Sequence, residues 1–190
     1  LSENINYSEH QDKNLPENFI LFVGSRLKYK NFGLLLKSYS MSKIIKNDFK
    51  IVCFGGGVFS KKELKIFREL NILDKIFYFQ GNDNLLAYLY SKARLFVFPS
   101  QYEGFGIPIL EAMLIGCPVL ASQIEVFEEI CKDGVHYFNN NDQNDLCEKL
   151  EKILYSNEYL LSNNNLALEI SKRYSWKKCA NETYNIYKKL

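Results

Sequence analysis

The chemistry-bearing residues are concentrated in the stretch PSQYEGFGIPILEAMLIGCPVLAS, where two carboxylates interrupt an otherwise apolar run. Glu103 and Glu111 are separated by seven residues, and Gly104 and Gly106 lie between them. Glycine lets a backbone approach a ligand closely and expose its N–H groups. An exposed N–H row at the start of a helix suits an anion such as phosphate. The stretch therefore predicts an anion site at a helix N-terminus.

Both glutamates also have simpler interpretations. Pro108 is predicted at the first helical position, where a missing N–H costs nothing. Glu111 then falls in the first turn of that helix, where it either balances the helix dipole or accepts hydrogen bonds from two sugar hydroxyls. Glu103, on the loop, is either a solvated turn charge or part of a site. Their combination with glycines and proline favours a site.

A second group of charges follows the first predicted strand, in GSRLKYKN. The planar fork of Arg26 and the point charge of Lys30 suit a diphosphate, although two solvated loop cations are an equal alternative. The triple glycine Gly55–Gly57 follows the second predicted strand. It predicts a tight strand-to-helix turn, with close approach to a ligand as the alternative.

Short apolar runs alternate with helical patterns along most of the chain. This alternation predicts an α/β fold: a three-layer parallel sheet with helices on both faces, followed by C-terminal helices. In such sheets ligands bind beyond the carboxyl ends of the strands. The predicted strands are 19–24, 49–57, 75–81, 94–100, 117–122 and 135–138. The predicted helices are 31–46, 61–70, 84–93, 107–116, 124–134, 142–154, 158–173 and 176–190.

Composition excludes several classes of function. A net charge of +2 does not indicate nucleic-acid binding, and the two histidines are too far apart in sequence to indicate a zinc site. The five cysteines form no C-x-x-C pair and are expected to be free thiols in a reducing compartment. Neither a G-x-G-x-x-G fingerprint nor a Walker A motif is present. Residues 1–17 are predicted to be a linker or the end of a preceding domain, and 18–190 a folded domain.

The motifs VGSRLKYKNFGLLLKSY, PSQYEGFGIPILEAMLIGCPVLAS, FEEICKDGVHYF and YSWKKCANETYNIYKKL occur in this order. Together they resemble the carboxyl-terminal half of the family 4 retaining glycosyltransferases. The resemblance covers about residues 19–190, and it implies that 18–190 is a nucleotide-sugar-binding domain. It implies one half of a GT-B fold, in which two Rossmann-like domains face each other across a cleft.

The resemblance also implies roles for individual residues. Arg26 and Lys30 would hold the diphosphate of a nucleotide sugar, and no metal would be required. Glu103 would lie beside the transferred sugar, and Glu111 would bind the ribose hydroxyls. The remaining contacts would come from the backbone: to phosphate or sugar at Gly104, Phe105 and Gly106, and to the base near Phe79 and Gly81.

The function implied is transfer of a hexose to a glycan or lipid-linked acceptor in polysaccharide biosynthesis, with a mannose-type donor suggested by the form of the first loop. The acceptor would bind the absent N-terminal domain. The expected location is the cytoplasm, including the inner face of the membrane. A stand-alone nucleotide-sugar-binding or regulatory module without transfer activity is the alternative, and a nucleotide-sugar epimerase of the same fold is disfavoured by the spacing of the glutamates.

Overall fold

A computed structural model describes residues 15–26 and 28–189. The described residues form a six-stranded sheet, and all strand pairs are parallel. The strands, β1 to β6, are Phe19–Val23, Lys50–Phe54, Ile76–Phe79, Leu95–Phe98, Val119–Gln123 and His136–Asn139. The helices, α1 to α10, are Phe32–Met41, Lys43–Asp48, Lys61–Glu69, Asp83–Lys92, Ile107–Ile115, Glu125–Cys131, Gln143–Tyr155, Asn157–Leu161, Asn164–Ser171 and Trp176–Tyr187.

The sheet is covered on both faces, which explains why its central strands are apolar throughout. Every residue of β1 and β4 is buried, as expected for strands without a solvent-facing side. One face packs against α4, α5, α6 and α9, and the other against α1, α2, α3, α7 and α8. The predicted α/β, Rossmann-like, three-layer architecture is confirmed.

The strand order β3-β2-β1-β4-β5-β6 reverses direction between β1 and β4. A crevice opens at such a reversal, beyond the carboxyl ends of the strands. The loops after β1 and β4 flank it, and the loops after β2 and β3 continue along the same edge. We call this row of loops the carboxyl edge. The charged and glycine-rich segments of the sequence therefore converge on one side of the sheet.

Two predicted helices are each split in the structure. The predicted helix 31–46 breaks at Ser42, whose extended backbone ends α1 and whose hydroxyl accepts a hydrogen bond from Ile45 N to begin α2. Serine favours such a cap over a helix interior. The predicted helix 158–173 breaks between α8 and α9, where the Asn163 side chain donates to the carbonyl of Val135 at 3.1 Å.

The two ends of the chain differ from its centre. Residues 1–14, most of the predicted linker 1–17, lie outside the described residues. At the other end, no side chain of α10 is buried, although Trp176, Tyr184 and Tyr187 are large and aromatic. None of the helices in residues 15–26 and 28–189 has the length and apolar character that a membrane span requires.

Candidate functional site

The centre of the candidate site is an ion pair across the crevice. Lys30, at the end of a short 3-10 turn after β1, contacts Glu103, on the loop after β4. Lys30 Nζ lies 2.5 Å from Glu103 Oε1, and both side chains are about seven-eighths buried, with 13% and 14% of their surfaces exposed. The structure therefore brings together two predicted site residues from loops 73 positions apart.

Aromatic rings cover the Lys30 ammonium. Its Nζ is 4.8 Å from the ring centre of Phe98, the last residue of β4, and 5.3 Å from that of Tyr29. A cation close to ring faces is attracted by their quadrupoles and is shielded from water. An ammonium has three N–H donors, and in the described part of the chain its hydrogen-bond partner is Glu103. The ammonium thus keeps donors for an anion that enters the crevice.

The two loops that carry the ion pair are joined by further contacts. Gln101 N donates to the carbonyl of Tyr29 at 2.8 Å, and the rings of Tyr29 and Tyr102 stack with centres 5.0 Å apart. The side-chain oxygen of Asn141 accepts hydrogen bonds from Asn31 and Gln101 at 2.9 and 2.8 Å. The loop after β6 therefore braces the loops after β1 and β4, which limits how far the charges can separate.

Helix α5 begins beside this ion pair. Its N-cap is Gly106, whose φ of 99° lies in the left-handed region that favours glycine. A Cβ there would also lie 3.0 Å from the Phe127 ring. The prediction that Pro108 takes the first helical position is wrong by one residue, because α5 starts at Ile107. Proline still costs nothing there, since the first four N–H groups of a helix have no intrahelical partner.

Glu111 was predicted in the first turn of α5, and this is wrong: the helix starts at Ile107, so Glu111 is its fifth residue. The interpretation that Glu111 balances the helix dipole therefore no longer holds, because a carboxylate interacts favourably with the dipole only in the first turn. Burial, and then the nearby charge of Asp83, raise the pKa of Glu111 above its ordinary value. No described residue donates a hydrogen bond to this half-buried carboxylate, which leaves its oxygens available to a ligand.

Arg26 does not join the ion pair; its guanidinium contacts the loop after β2 instead. Arg26 Nε donates to Glu63 Oε1 at 2.5 Å. The two Nη atoms donate to the backbone carbonyls of Gly55 and Gly57, in the triple-glycine segment after β2 that we call the glycine loop. Only 5% of the Arg26 side chain is exposed. Burial opposes ionisation of Glu63, but hydrogen bonds from Arg26 and Ser60 hold the pKa of Glu63 below its ordinary value.

The segment expected to receive the base lies next to that loop. Phe79 ends β3, and its carbonyl accepts a hydrogen bond from Gly55 N at 3.1 Å. Gly81 packs so closely on helix α4 that an added Cβ would lie 2.7 Å from the Leu85 side chain. The carboxyl edge therefore has two parts: the ion pair with α5 at its centre, and the loops after β2 and β3 beside it.

The sequence interpretation missed Glu63, which was treated only as part of a helix. Its signal was the pattern SKKE, because serine followed three positions later by glutamate is typical of a capping box. Both reciprocal bonds of that box are present in α3. Two fully buried hydroxyls near the carboxyl ends of β4 and β5, Ser100 Oγ and Ser122 Oγ, were also missed, and neither has a hydrogen-bond partner in the described part of the chain.

The chain is similar in sequence to glycan-assembling enzymes. A family model described as "Glycosyl transferases group 1" matches residues 4–169. The O-antigen chain mannosyltransferase RfbU of Salmonella typhimurium is 33% identical over 141 residues, covering 73% of this chain and 39% of the relative. The O-antigen chain mannosyltransferase B of Escherichia coli is 38% identical over 108 residues, covering 57% of this chain and 28% of the relative. The chain spans less than half the length of the curated relatives it matches.

Solved structures share the fold. A sucrose-phosphate synthase from Thermosynechococcus elongatus superposes with a TM-score of 0.81 at 24% identity, covering 93% of this chain and 47% of that one. HepE from Anabaena, solved with UDP and glucose, superposes with a TM-score of 0.78 at 18% identity, covering 92% and 49%. At these identities the likeness establishes the fold alone, and in each case it is confined to about half of the neighbour.

Proposed function

This chain belongs to the glycosyl transferases group 1 family, and from that premise we propose that it is the donor-binding part of a retaining hexosyltransferase. The donor is a nucleotide-diphosphate sugar. The acceptor is a glycan or a lipid-linked glycan, held by the rest of a longer protein, since the matched relatives are more than twice as long as the region they share with this chain.

The Lys30–Glu103 pair is the observation that carries this proposal. It lies at the reversal of strand order, where ligands bind in open parallel sheets. A mostly buried cation whose partner, Glu103, lies three residues before the N-cap of α5 is suited to bind a diphosphate together with the N-terminus of that helix. When the donor binds, Lys30 transfers its interaction from Glu103 to the phosphates, and Glu103 becomes available to the sugar.

The other contacts follow from the chemistry of each group. The backbone N–H groups of Gly104, Phe105 and Gly106 meet the phosphates or the sugar. The Glu111 carboxylate, which has no described protein donor, accepts hydrogen bonds from the two ribose hydroxyls. The base lies against the backbone at Phe79 and Gly81. We expect Lys30 and the N-terminus of α5 to neutralise the diphosphate without a metal ion.

In the reaction, the bond between the anomeric carbon and the diphosphate oxygen breaks while the acceptor hydroxyl oxygen bonds to that carbon. The acceptor attacks from the face that the diphosphate leaves, and its proton passes to the departing phosphate. Negative charge builds on the diphosphate, where Lys30 and the α5 N-terminus stabilise it. Glu103 orients the sugar hydroxyls and balances the positive charge at the anomeric carbon.

The names of two relatives, both O-antigen chain mannosyltransferases, support a mannose-type donor and a role in polysaccharide assembly. We expect the reaction to take place in the cytoplasm at the inner face of the membrane, where a lipid-linked acceptor would be reached.

Calorimetric titration of the full 190-residue chain with UDP, GDP and ADP tests donor binding. We expect one of the three to bind with a Kd near the micromolar range, about −8 kcal/mol, and binding to weaken in Glu111→Ala. Glu148→Ala is the matched control, because Glu148 is an exposed carboxylate on α7. No binding by any of the three nucleotides, or equal weakening by both variants, would contradict the proposal.

Transfer itself is tested on the longer protein with radiolabelled nucleotide sugars and a lipid-linked acceptor. Transfer that is lost in Lys30→Met supports the hexosyltransferase. Nucleotide-sugar binding without transfer or hydrolysis would instead favour a binding or regulatory module.

A further inference from the structure

We propose that Arg26 is not a phosphate ligand but a positioning residue: with Glu63 and Phe59 it holds the backbone of Gly55–Val58 in the shape that receives the nucleotide. We call these residues the Arg26 cluster. The inference rests on the proposed donor-binding function and refines it, because it leaves Lys30 as the cation that meets the diphosphate.

The donors of Arg26 are nearly all occupied. A guanidinium has five N–H groups. Nε donates to Glu63, Nη1 donates to the carbonyl of Gly55 at 3.0 Å, and Nη2 donates to those of Gly57 at 2.7 Å and Val58 at 3.2 Å. At most one N–H of Nη1 remains, so Arg26 cannot form a two-pronged bond to phosphate without giving up contacts it already has.

The faces of the guanidinium are also covered. Its central carbon lies 4.8 Å from the ring centre of Phe59 and 5.9 Å from that of Tyr78. With 5% of the side chain exposed, a phosphate would have no open approach to the charge. Glu63 is equally committed, because its second carboxylate oxygen accepts hydrogen bonds from both Ser60 N and Ser60 Oγ at 2.7 Å.

The glycine loop needs such a restraint. Gly55, Gly56 and Gly57 have φ values of 79°, 76° and 78°. Glycines lose more conformational freedom than other residues when they are ordered. Successive carbonyls of this loop turn toward one guanidinium, which replaces the water they would otherwise bind. A Cβ on Gly56 would lie 2.8 Å from the Gly24 carbonyl and 3.0 Å from Arg26 Nη1, so the packing admits only glycine.

The restrained loop leads directly to the nucleotide site. Gly55 N donates to the carbonyl of Phe79, and Gly24 N donates to that of Phe54 at 2.9 Å. The Arg26 cluster therefore connects the ends of β1, β2 and β3, and the last of these precedes the segment proposed to receive the base. Loss of the cluster should disturb the base side of the site and leave the phosphate side in place.

The test compares nucleoside diphosphate with monophosphate on the full chain. For the nucleotide that binds the wild type, calorimetry gives the Kd of both forms in Arg26→Lys, Glu63→Gln and Lys30→Met. If Arg26 is a positioning residue, Arg26→Lys and Glu63→Gln weaken the binding of the diphosphate and of the monophosphate by a similar factor. We expect this factor to be about tenfold, because each substitution removes buried hydrogen bonds. Lys30→Met, by contrast, abolishes the preference for the diphosphate.

The direction in which Glu63→Gln changes diphosphate binding decides between the two roles of Arg26. A phosphate-binding Arg26 would be released by this change and the diphosphate would bind more tightly, which would overturn the inference. Glu69→Gln is the control, since its exposed pair with Lys65 lies on the same helix.

Amide hydrogen exchange at Gly55–Val58, measured without ligand, is the second readout. We expect faster exchange in Arg26→Lys and Glu63→Gln, and unchanged exchange would overturn the inference. A wild type that binds no nucleotide would refute the proposed function, while the exchange readout would still decide the role of Arg26.

Discussion

Two ion pairs have their cations on the same loop after β1, but the surroundings of the two pairs differ. Arg26 pairs with Glu63 and Lys30 pairs with Glu103, in both cases at 2.5 Å and with mostly buried side chains. The Arg26 guanidinium also donates to backbone carbonyls and lies against two aromatic rings. The Lys30 ammonium has one described hydrogen-bond partner, on a different loop.

This difference separates a structural ion pair from one that can exchange partners. A planar cation with five fixed donors can satisfy several carbonyls at once, whereas an ammonium on a flexible stem can change partners readily. Burial of a charge is tolerated when all its hydrogen-bonding groups are met. Arg26 comes close to that condition within the protein, because four of its five N–H groups are bonded. Lys30 meets it only with an added anion, so chemical function is expected at the second pair.

The largest expected effect is on stability, in Arg26→Ala. Removing the guanidinium leaves Glu63 without its cation and the Gly55–Val58 carbonyls without their donor, which should lower the free energy of unfolding by about 3–5 kcal/mol. Urea denaturation measures it. Lys65→Ala, which breaks an exposed pair, should cost about 0.5 kcal/mol or less. Equal losses in the two variants would erase the distinction between the Arg26 cluster and a surface pair.

The second effect is on binding, in Lys30→Met. Methionine keeps an apolar side chain against Phe98 but removes the charge, so nucleoside diphosphate binding should weaken by about 10–100-fold, the range for one charge-assisted hydrogen bond. Isothermal calorimetry gives the ratio of Kd values. A Kd within a factor of two of the wild type would show that Lys30 is only the counterion of Glu103.

A smaller effect of opposite sign is expected in Glu103→Gln. Without the carboxylate, Lys30 no longer has to leave an ionic partner, and binding of the nucleoside diphosphate alone should tighten by about fivefold. Transfer by the longer protein should fall, because Glu103 also serves the sugar. The same substitution at Glu63 is expected to weaken binding, so the two carboxylates give opposite signs in one assay.

The smallest effect concerns Glu111, which belongs to neither pair. Burial raises the pKa of Glu111, so the ionised carboxylate destabilises the folded state. The resulting loss in the free energy of unfolding develops as pH rises through the raised pKa. Glu111→Gln should therefore be more stable than the wild type at neutral pH. The gain should disappear below the ordinary pKa of a glutamate, about 4.3. Thermal unfolding at several pH values checks this, and a gain that persists in acid would contradict it.

Local sequence patterns were sufficient for most elements of the fold. Short apolar runs predicted the buried strands, because a parallel sheet covered on both faces needs apolar residues at every position. They were insufficient at helix interruptions. Ser42 was taken as a helix interior, although its hydroxyl caps α2. The helical spacing of the apolar residues continues through Ser42, so only the competing hydrogen bond shows the break.

The candidate site was predicted in part. The sequence alone determined that Lys30 and Glu103 lie on loops at the carboxyl edge, since both follow strands of a parallel sheet. It did not determine which carboxylate each cation meets. Arg26 and Lys30 are four residues apart and were given one role, yet their partners are 37 and 73 positions away. Pairing over such distances depends on strand order and on how each loop leaves the sheet, and these are properties of the tertiary structure.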